Sequence, residues 1–176
     1  KFAEGGFAKT TVTDIAATSG ISCGLMFLYF PSKAELLEAA VEKHSFLPRM
    51  RSILTNTNKP CREVLINTPV RFSALLEQEK NSIRILLQEG HSNTEVKKVW
   101  DSLSSEASAI LQQFLASRIA AGELKTHNTE VTARCLFSII FMFIFTKDIF
   151  KSSSLNDTQF IEQSIDSILN GIQCSK

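Results

Sequence analysis

The residues able to do covalent or metal chemistry are few, and their spacing predicts no reaction centre. His44, His91 and His127 lack the spacing of metal ligands. There is no nucleophile elbow, HExxH, P-loop or paired-carboxylate motif, and Ser22 has no histidine near it in the sequence. We therefore expect no enzyme, no metal site and no cofactor.

The cysteines are far apart and form no CxxC pair. This spacing argues against a zinc site and against a disulfide framework. They are Cys23, Cys61, Cys135 and Cys174. We interpret them as reduced thiols. For Cys23 two interpretations stay open, an inert small residue and a thiol that senses oxidation.

The elements that must position any site are predicted to be helices. The 176 residues include only 4 prolines and 7 glycines, and apolar residues recur at three- and four-residue spacing. The fold class is therefore all-α. Short helices are predicted at 2–4, 11–19, 22–27 and 32–44, and longer ones at 47–55, 60–79, 81–89, 93–121, 129–150 and 157–172.

Several helix ends carry their own signal. A hydroxyl followed three residues later by an acid predicts a capping box. The pattern occurs at Thr11 and Asp14, at Ser32 and Glu35, and at Ser92 and Glu95. Gly20 favours a sharp turn between two short helices, and Gly122 is the predicted stop of the longest helix.

Four segments in the first 45 residues are specific in type and spacing. They are Phe2-Ala3-Glu4-x-Gly6-Phe7, Thr10-Thr11-Val12-x-Asp14-Ile15-Ala16, Gly20-Ile21-Ser22-x-Gly24, and Tyr29-Phe30-Pro31-Ser32-Lys33-x-x-Leu36-Leu37. Together they resemble the DNA-binding domain of the TetR (tetracycline-repressor-like) family. The resemblance implies an N-terminal helix-turn-helix DNA-binding domain at 1–45, its first helix truncated at the N-terminus, and a larger helical ligand-binding and dimerisation domain at 46–176.

The resemblance also implies which residues meet DNA. The second helix of the motif, from Ser22 to Leu28, enters the major groove. The positions facing base edges are Thr13, Cys23, Gly24, Leu25 and Phe27. The positions contacting the DNA backbone are Thr11, Leu28, Tyr29 and Lys33.

This reading helix departs from the family pattern because it is apolar. Such domains often carry lysine at the position of Cys23, threonine at that of Leu25 and tyrosine at that of Phe27. Leu25 and Phe27 can touch thymine methyl groups but cannot form bidentate hydrogen bonds, so we expect modest or shape-led specificity. Residues 1–44 carry four lysines and five carboxylates, a net charge of −1. We therefore expect a basic segment upstream of Lys1.

In the larger region the resemblance implies a ligand cavity among the middle helices. The candidate lining residues are Arg71, Phe72, Arg84, Glu89, His91, Trp100, Phe137 and Phe141. Other interpretations stay open for several of them. Arg84 and Glu89 also fit solvated charges, His91 a surface histidine, and Trp100 a core side chain.

The last two helices are rich in apolar residues. By resemblance they pair with those of a second copy into a four-helix bundle. The candidate interface residues are Phe137, Phe141, Phe145, Phe160, Ile161, Ile165, Ile168 and Ile172. The alternative is that these side chains are buried within one subunit.

The function predicted is a bacterial, cytoplasmic transcriptional regulator. We expect a homodimeric repressor that binds double-stranded, palindromic operator DNA and is released by a small-molecule effector. The apolar stretch 135–145 is too short to span a bilayer, so no membrane association is expected. The rival hypothesis is a small-molecule-binding dimer that has weak or lost sequence-specific DNA binding.

Overall fold

The structure is a computed structural model that describes residues 1–43, 46–55, 58–69, 86, 89–146 and 156–172. The side chains at 3, 144–146 and 172 lie outside this description. The described residues form helices and connecting turns, with no strand among them. The helices are α1 (Phe2–Gly5), α2 (Val12–Ser19), α3 (Cys23–Tyr29), α4 (Lys33–Lys43), α5 (Leu47–Thr55), α6 (of which 61–69 is described), α7 (Thr94–Ala120), α8 (Thr129–Thr146) and α9 (Asp157–Ile172).

The all-α fold class is thus confirmed, and several predicted helix ends agree with the structure. At the start of α2 the Thr11 hydroxyl accepts a hydrogen bond from the Asp14 N–H at 3.1 Å, and the Asp14 carboxylate accepts one from the Thr11 N–H at 3.0 Å. The Ser32 hydroxyl accepts from the Glu35 N–H in the same way. Gly122, with φ +76°, follows the end of α7 as predicted.

The predicted cap of α7 at Ser92 was wrong by one residue. The helix begins at Thr94, and the Asn93 side-chain oxygen accepts hydrogen bonds from the Glu95 and Val96 N–H groups at 2.9 and 3.2 Å. An asparagine can reach the same first-turn amides as a serine, and here it occupies the position directly before the helix. Ser92 instead donates to the carbonyl of Glu89.

The chain packs as two compact units. One consists of Lys1–Ser45 with Gln78–Ser104, and the other of Phe46–Glu77 with Ser105–Lys176. The first unit therefore contains a later piece of sequence that the predicted domain boundary at residue 45 did not include. That functional boundary stays a prediction.

Each unit has its own apolar core. In the first, Val12, Ala16 and Met26 are buried together where α2 meets α3. In the second, α7, α8 and α9 contribute the most deeply buried side chains. These are Ala107, Leu115, Ala133, Leu136 and Ile165. Among the described helices, none is long and apolar enough by itself to cross a membrane; α2 and α3 pass that test only as a pair, which is sharply bent.

Candidate nucleic-acid interface and ligand cavity

Helices α2 and α3 form a helix-turn-helix. The chain turns by 107° between them, within the 90–120° range of that motif. Gly20 makes the turn in the left-handed region, with φ +70° and ψ 22°, and the N–H of Ile21 donates to the Ala16 carbonyl. The turn therefore depends on a residue without a side chain at position 20.

Two of the predicted DNA-binding hydroxyls serve as helix caps. Ser22 accepts from the Leu25 N–H at 3.1 Å at the start of α3. Thr11 caps α2, and its hydrogen bond to Asp14 holds the pKa of that carboxyl below its usual value. Both side chains are exposed, so the caps leave them accessible.

The outward side of α3 carries most of the predicted reading residues. Leu25 is 40% exposed, Phe27 47%, Leu28 75% and Tyr29 69%. Met26 faces the other way and is 4% exposed in the core with α2. The structure therefore brings the predicted residues onto one accessible surface of apolar character.

Cys23 and Gly24 lie at the beginning of α3. The Cys23 sulfur is half-buried and 3.6 Å from the Thr13 hydroxyl, which places these two predicted base-facing residues in contact. Gly24 is exposed, and a Cβ atom added there would have no atom of the chain within 4 Å. The chain thus leaves open space at Gly24 for a close approach by another molecule.

Lys33, the predicted phosphate-contacting cation, already has partners in the chain. Its ammonium donates to the Ala8 carbonyl at 3.2 Å and lies 4.4 Å from the centre of the Phe7 ring. A cation over an aromatic face is attracted by the ring electrons. Lys33 therefore anchors α4 to the loop between α1 and α2 while remaining half-exposed.

Glu89 binds the same loop. Its carboxylate accepts hydrogen bonds from the N–H groups of Phe7 at 2.5 Å and of Ala8 at 2.9 Å. Glu89, a predicted ligand-pocket residue, lies in the unit that contains the helix-turn-helix, and its role in ligand binding stays a prediction. The contact spans 82 residues of sequence, so no local pattern could have revealed it.

An apolar cavity lies within the second unit. The cavity has a volume of about 30 Å³, and the atoms that its described wall exposes are apolar. Phe137 and Phe141, both predicted to line a pocket, stack at 5.6 Å between ring centres. The other wall residues were not foreseen: Phe46, Met50, Thr68, Pro69, Leu111 and Ile140.

Two other pocket candidates are not among the described wall residues of this cavity. His91 is exposed in the turn before α7, and Trp100 is half-buried on α7 in the first unit. Arg71, Phe72 and Arg84 lie outside the described residues. A role for these residues in ligand binding stays a prediction.

The candidate dimer residues that the structure describes differ in how much of each side chain is exposed. Ile161 and Ile165, which we had placed between subunits, are 3% and 1% exposed and so are already covered within one chain. Phe160 is 38% exposed and stacks on the buried Phe143 at 5.1 Å. Ile168 is half-buried, and the side chains of Phe145 and Ile172 lie outside the described residues.

A polar cluster ties α6 to the end of α7. Glu123 accepts from the Cys61 N–H at 2.9 Å and from the buried Arg118 guanidinium at 2.5 Å. Burial alone would raise the pKa of Glu123, but these two donors outweigh it and lower the pKa. Burial also raises the pKa of the Cys61 thiol to about 11, so this thiol stays protonated at neutral pH.

Comparison with known families agrees with this arrangement. Residues 2–40 match the family of bacterial regulatory proteins, tetR family, and residues 63–171 match the AefR-like transcriptional repressor, C-terminal domain. The second match alone covers more than half of the chain. The chain belongs to the TetR family. Its first 45 residues thus contain the helix-turn-helix of that family, and the model that matches its larger region is that of a repressor's C-terminal domain.

One curated relative of this TetR-family regulator is an uncharacterized HTH-type transcriptional regulator, YerO, of Bacillus subtilis. The two sequences are 27% identical, and their alignment covers 99% of this chain and 62% of the relative. The chain spans about three fifths of the length of the curated relatives it matches.

Solved structures of other proteins have the same fold. Salmonella enterica GusR superposes with a TM-score of 0.79 at 19% identity, covering 96% of this chain and 88% of that one. FadR of Bacillus subtilis, in complex with stearoyl-CoA, has a TM-score of 0.74 at 24% identity, covering 96% and 91%. At these identities the likeness shows the fold alone.

Proposed function

We propose that this TetR-family regulator is a repressor that binds a palindromic operator and leaves it when a small molecule binds. The observation that carries the proposal is the set of exposed residues on α3, held at 107° to α2. A helix in this position enters the major groove and places its N-terminal side chains at base edges. Such a regulator acts in the cytoplasm, where operator DNA is accessible.

The effector side of the proposal is supported by the cavity in the second unit. Its described wall is apolar and includes the stacked rings of Phe137 and Phe141. A wall of this kind favours apolar ligands or the apolar part of an amphipathic one. The complex of Bacillus subtilis FadR with stearoyl-CoA makes long-chain acyl-CoA the first class to test.

The proposal requires a dimer. Two reading helices must lie about one helical turn of DNA apart, ~34–36 Å, to grip a palindrome. Phe160 on α9 and Val131 on α8 are exposed apolar side chains suited to contact a second copy. Phe160→Asp is expected to produce monomers in sedimentation equilibrium, whereas Gln113→Asp, at an exposed position on α7, leaves the dimer intact.

The effector must distinguish two arrangements of this dimer. A ligand shifts an equilibrium only by the difference between its affinities for the two states. Near-complete release therefore requires a difference of several kcal/mol in favour of the arrangement that does not fit DNA.

The competing function is a ligand-binding dimer without sequence-specific DNA binding. It is favoured by the net charge of −1 over residues 1–44, since DNA-binding surfaces are usually basic. Binding that is equal for operator and unrelated duplexes would support this alternative.

Effector release is tested with stearoyl-CoA and with coenzyme A alone as the control. Fluorescence anisotropy of the protein bound to labelled operator is expected to fall with stearoyl-CoA only. Ile140→Trp, which fills the cavity, is expected to abolish release and retain DNA binding. Gln113→Trp, at an exposed position, is the matched control. Release that survives Ile140→Trp would place the effector elsewhere.

A further inference from the structure

Helix α3 has no side chain able to form bidentate hydrogen bonds to a base. Its sequence from Cys23 to Tyr29 contains no charged, amide or imidazole group. The pairs that discriminate bases by hydrogen bonding use arginine or lysine on guanine, asparagine or glutamine on adenine, and acids on cytosine. Base discrimination by α3 therefore needs another kind of contact.

The nearby hydroxyl groups do not supply it. Thr13 is 3.6 Å from the Cys23 sulfur, Ser22 caps α3, and Thr18 donates to the Asp14 carbonyl at 2.8 Å. A serine or threonine hydroxyl also hydrogen-bonds to more than one base, so it discriminates weakly. The Tyr29 hydroxyl, on an exposed residue at the end of α3, lies at a position that the resemblance assigns to the DNA backbone. The exposed apolar side chains are therefore the groups left to tell bases apart.

Thymine is the base that offers them a partner. Its 5-methyl group is the apolar group that distinguishes base pairs in the major groove, and phenylalanine and aliphatic side chains contact it. Leu25 and Phe27 flank the buried Met26 on α3, and they are 40% and 47% exposed. The space around Gly24 lets this part of α3 approach the groove floor closely.

We infer that Leu25 and Phe27 read the operator through thymine 5-methyl groups, and that its half-sites carry thymines where these side chains meet the bases. The inference rests on the proposed function, since it names the chemistry by which the proposed operator is recognised. Leu28, nearer the end of α3, contacts the DNA backbone and does not read methyl groups.

The test begins with duplexes that the full chain selects from a random library. Each thymine of a selected half-site is replaced in turn by deoxyuridine, which lacks only the methyl group. Loss of one buried methyl group is expected to weaken binding about fourfold. Loss of the corresponding methyl groups from both half-sites is expected to weaken it about fifteenfold. At the same positions, 5-methylcytosine is expected to bind more tightly than cytosine because it restores the methyl.

Protein variants assign the contact to residues. In Leu25→Ala or Phe27→Ala the shortened side chain no longer reaches the methyl group, so the penalty for deoxyuridine at one position is expected to shrink, which a double-mutant cycle measures. Leu28→Ala is the matched control on the same helix, and its deoxyuridine penalties stay as in the parent chain. Circular dichroism melting of each variant checks that the helix-turn-helix remains folded.

The outcomes separate this inference from the proposed function. Selected duplexes whose affinity is unchanged by every deoxyuridine substitution would overturn the inference and keep the repressor. Selection that yields no preferred sequence would contradict the proposed function and the inference with it. Concentration-dependent self-association that disappears in Leu25→Ala would show that the surface binds protein, and would also overturn the inference.

Discussion

The carboxylate of Glu89 and the backbone N–H of Ala8 are 2.9 Å apart, and the same carboxylate also accepts from the N–H of Phe7. Lys33 donates to the Ala8 carbonyl of the same loop. The loop that leads into the helix-turn-helix is therefore fixed by two charged side chains. The Glu89 carboxylate binds two of its N–H groups, and the Lys33 ammonium binds one of its carbonyl groups. Hydrogen bonds to ionised groups are about twice as strong as neutral ones.

Glu89→Ala is expected to loosen this loop. Removing the acceptor leaves the part-buried Phe7 N–H without its partner, which costs roughly 1–3 kcal/mol. Amide hydrogen exchange at Phe7 and Ala8 should accelerate accordingly. The control is Glu106→Ala, which breaks an exposed ion pair with Arg51 and costs ~0.2–1 kcal/mol. Unchanged exchange at Phe7 would contradict the role of Glu89.

Gly6→Ala should damage the same contact from the loop side. Gly6 has φ +78° and ψ 163°, a region essentially reserved for glycine, where another residue costs ~1–3 kcal/mol. An added Cβ would also lie 2.7 Å from a Glu89 carboxylate oxygen. Urea unfolding is expected to show a smaller penalty for Gly6→Ala in a Glu89→Ala background. Gly171→Ala, with open space around it, is the control, and equal penalties in both backgrounds would rule out the clash.

Gly24→Ala is expected to separate folding from DNA binding. Alanine in a helix interior is more stable than glycine by roughly 0.5–1 kcal/mol, and nothing in the chain opposes the new methyl. The variant should melt at a slightly higher temperature and bind the selected duplex more weakly, because the methyl meets the groove floor. Retained affinity would mean that α3 does not approach DNA at Gly24.

Cys61 should resist thiol reagents in the native protein. It is 4% exposed, and burial raises the pKa of its thiol to about 11, so little of the reactive thiolate exists at pH 8. Cys135 is exposed and serves as the internal control. Peptide mass spectrometry after brief alkylation should find Cys135 modified and Cys61 intact, and both modified in denaturant. Comparable native rates would contradict the burial of Cys61.

Glu123 should make the protein less stable in acid. Its pKa is lowered in the folded state, so its stabilising effect is present above its ordinary pKa of 4.5 and is lost as the pH falls through the lower folded value. Glu123→Gln should reduce the free energy of unfolding at pH 7 and flatten its decline below about pH 4.5. Glu106→Gln is the control. If the free energy of unfolding of Glu123→Gln falls with pH as steeply as that of the parent chain, the assignment is contradicted.

Local signals in the sequence predicted local structure well. The hydroxyl and acid at Thr11 and Asp14 located the start of α2, and Gly20 located the turn, because these features depend on residues within four positions of each other. The cap of α7 was missed because Ser92 and Asn93 are adjacent and both suit a cap. Pattern alone does not decide between two neighbouring residues.

Long-range packing was predicted less well. Phe137 and Phe141 were identified because a mostly apolar helix must turn some rings toward a cavity or a partner. Met50 and Thr68, on other helices of the same cavity, carry no sequence signal that distinguishes them from core residues. Glu89 was a pocket candidate because it is a polar residue in an otherwise apolar segment. Its hydrogen bonds with the N–H groups of Phe7 and Ala8 left no signal in the sequence, because every residue except proline has a backbone N–H.

Fluorescence anisotropy can measure the proposed sequence-specific DNA binding of this TetR-family chain. The full chain is titrated against DNA from upstream of its own gene and against an unrelated duplex, at two salt concentrations. We expect tight binding to the upstream DNA, far weaker binding to the control, and loss of affinity at higher salt as phosphate contacts are screened. Equal affinity for both duplexes, or no binding to either, would contradict this proposal.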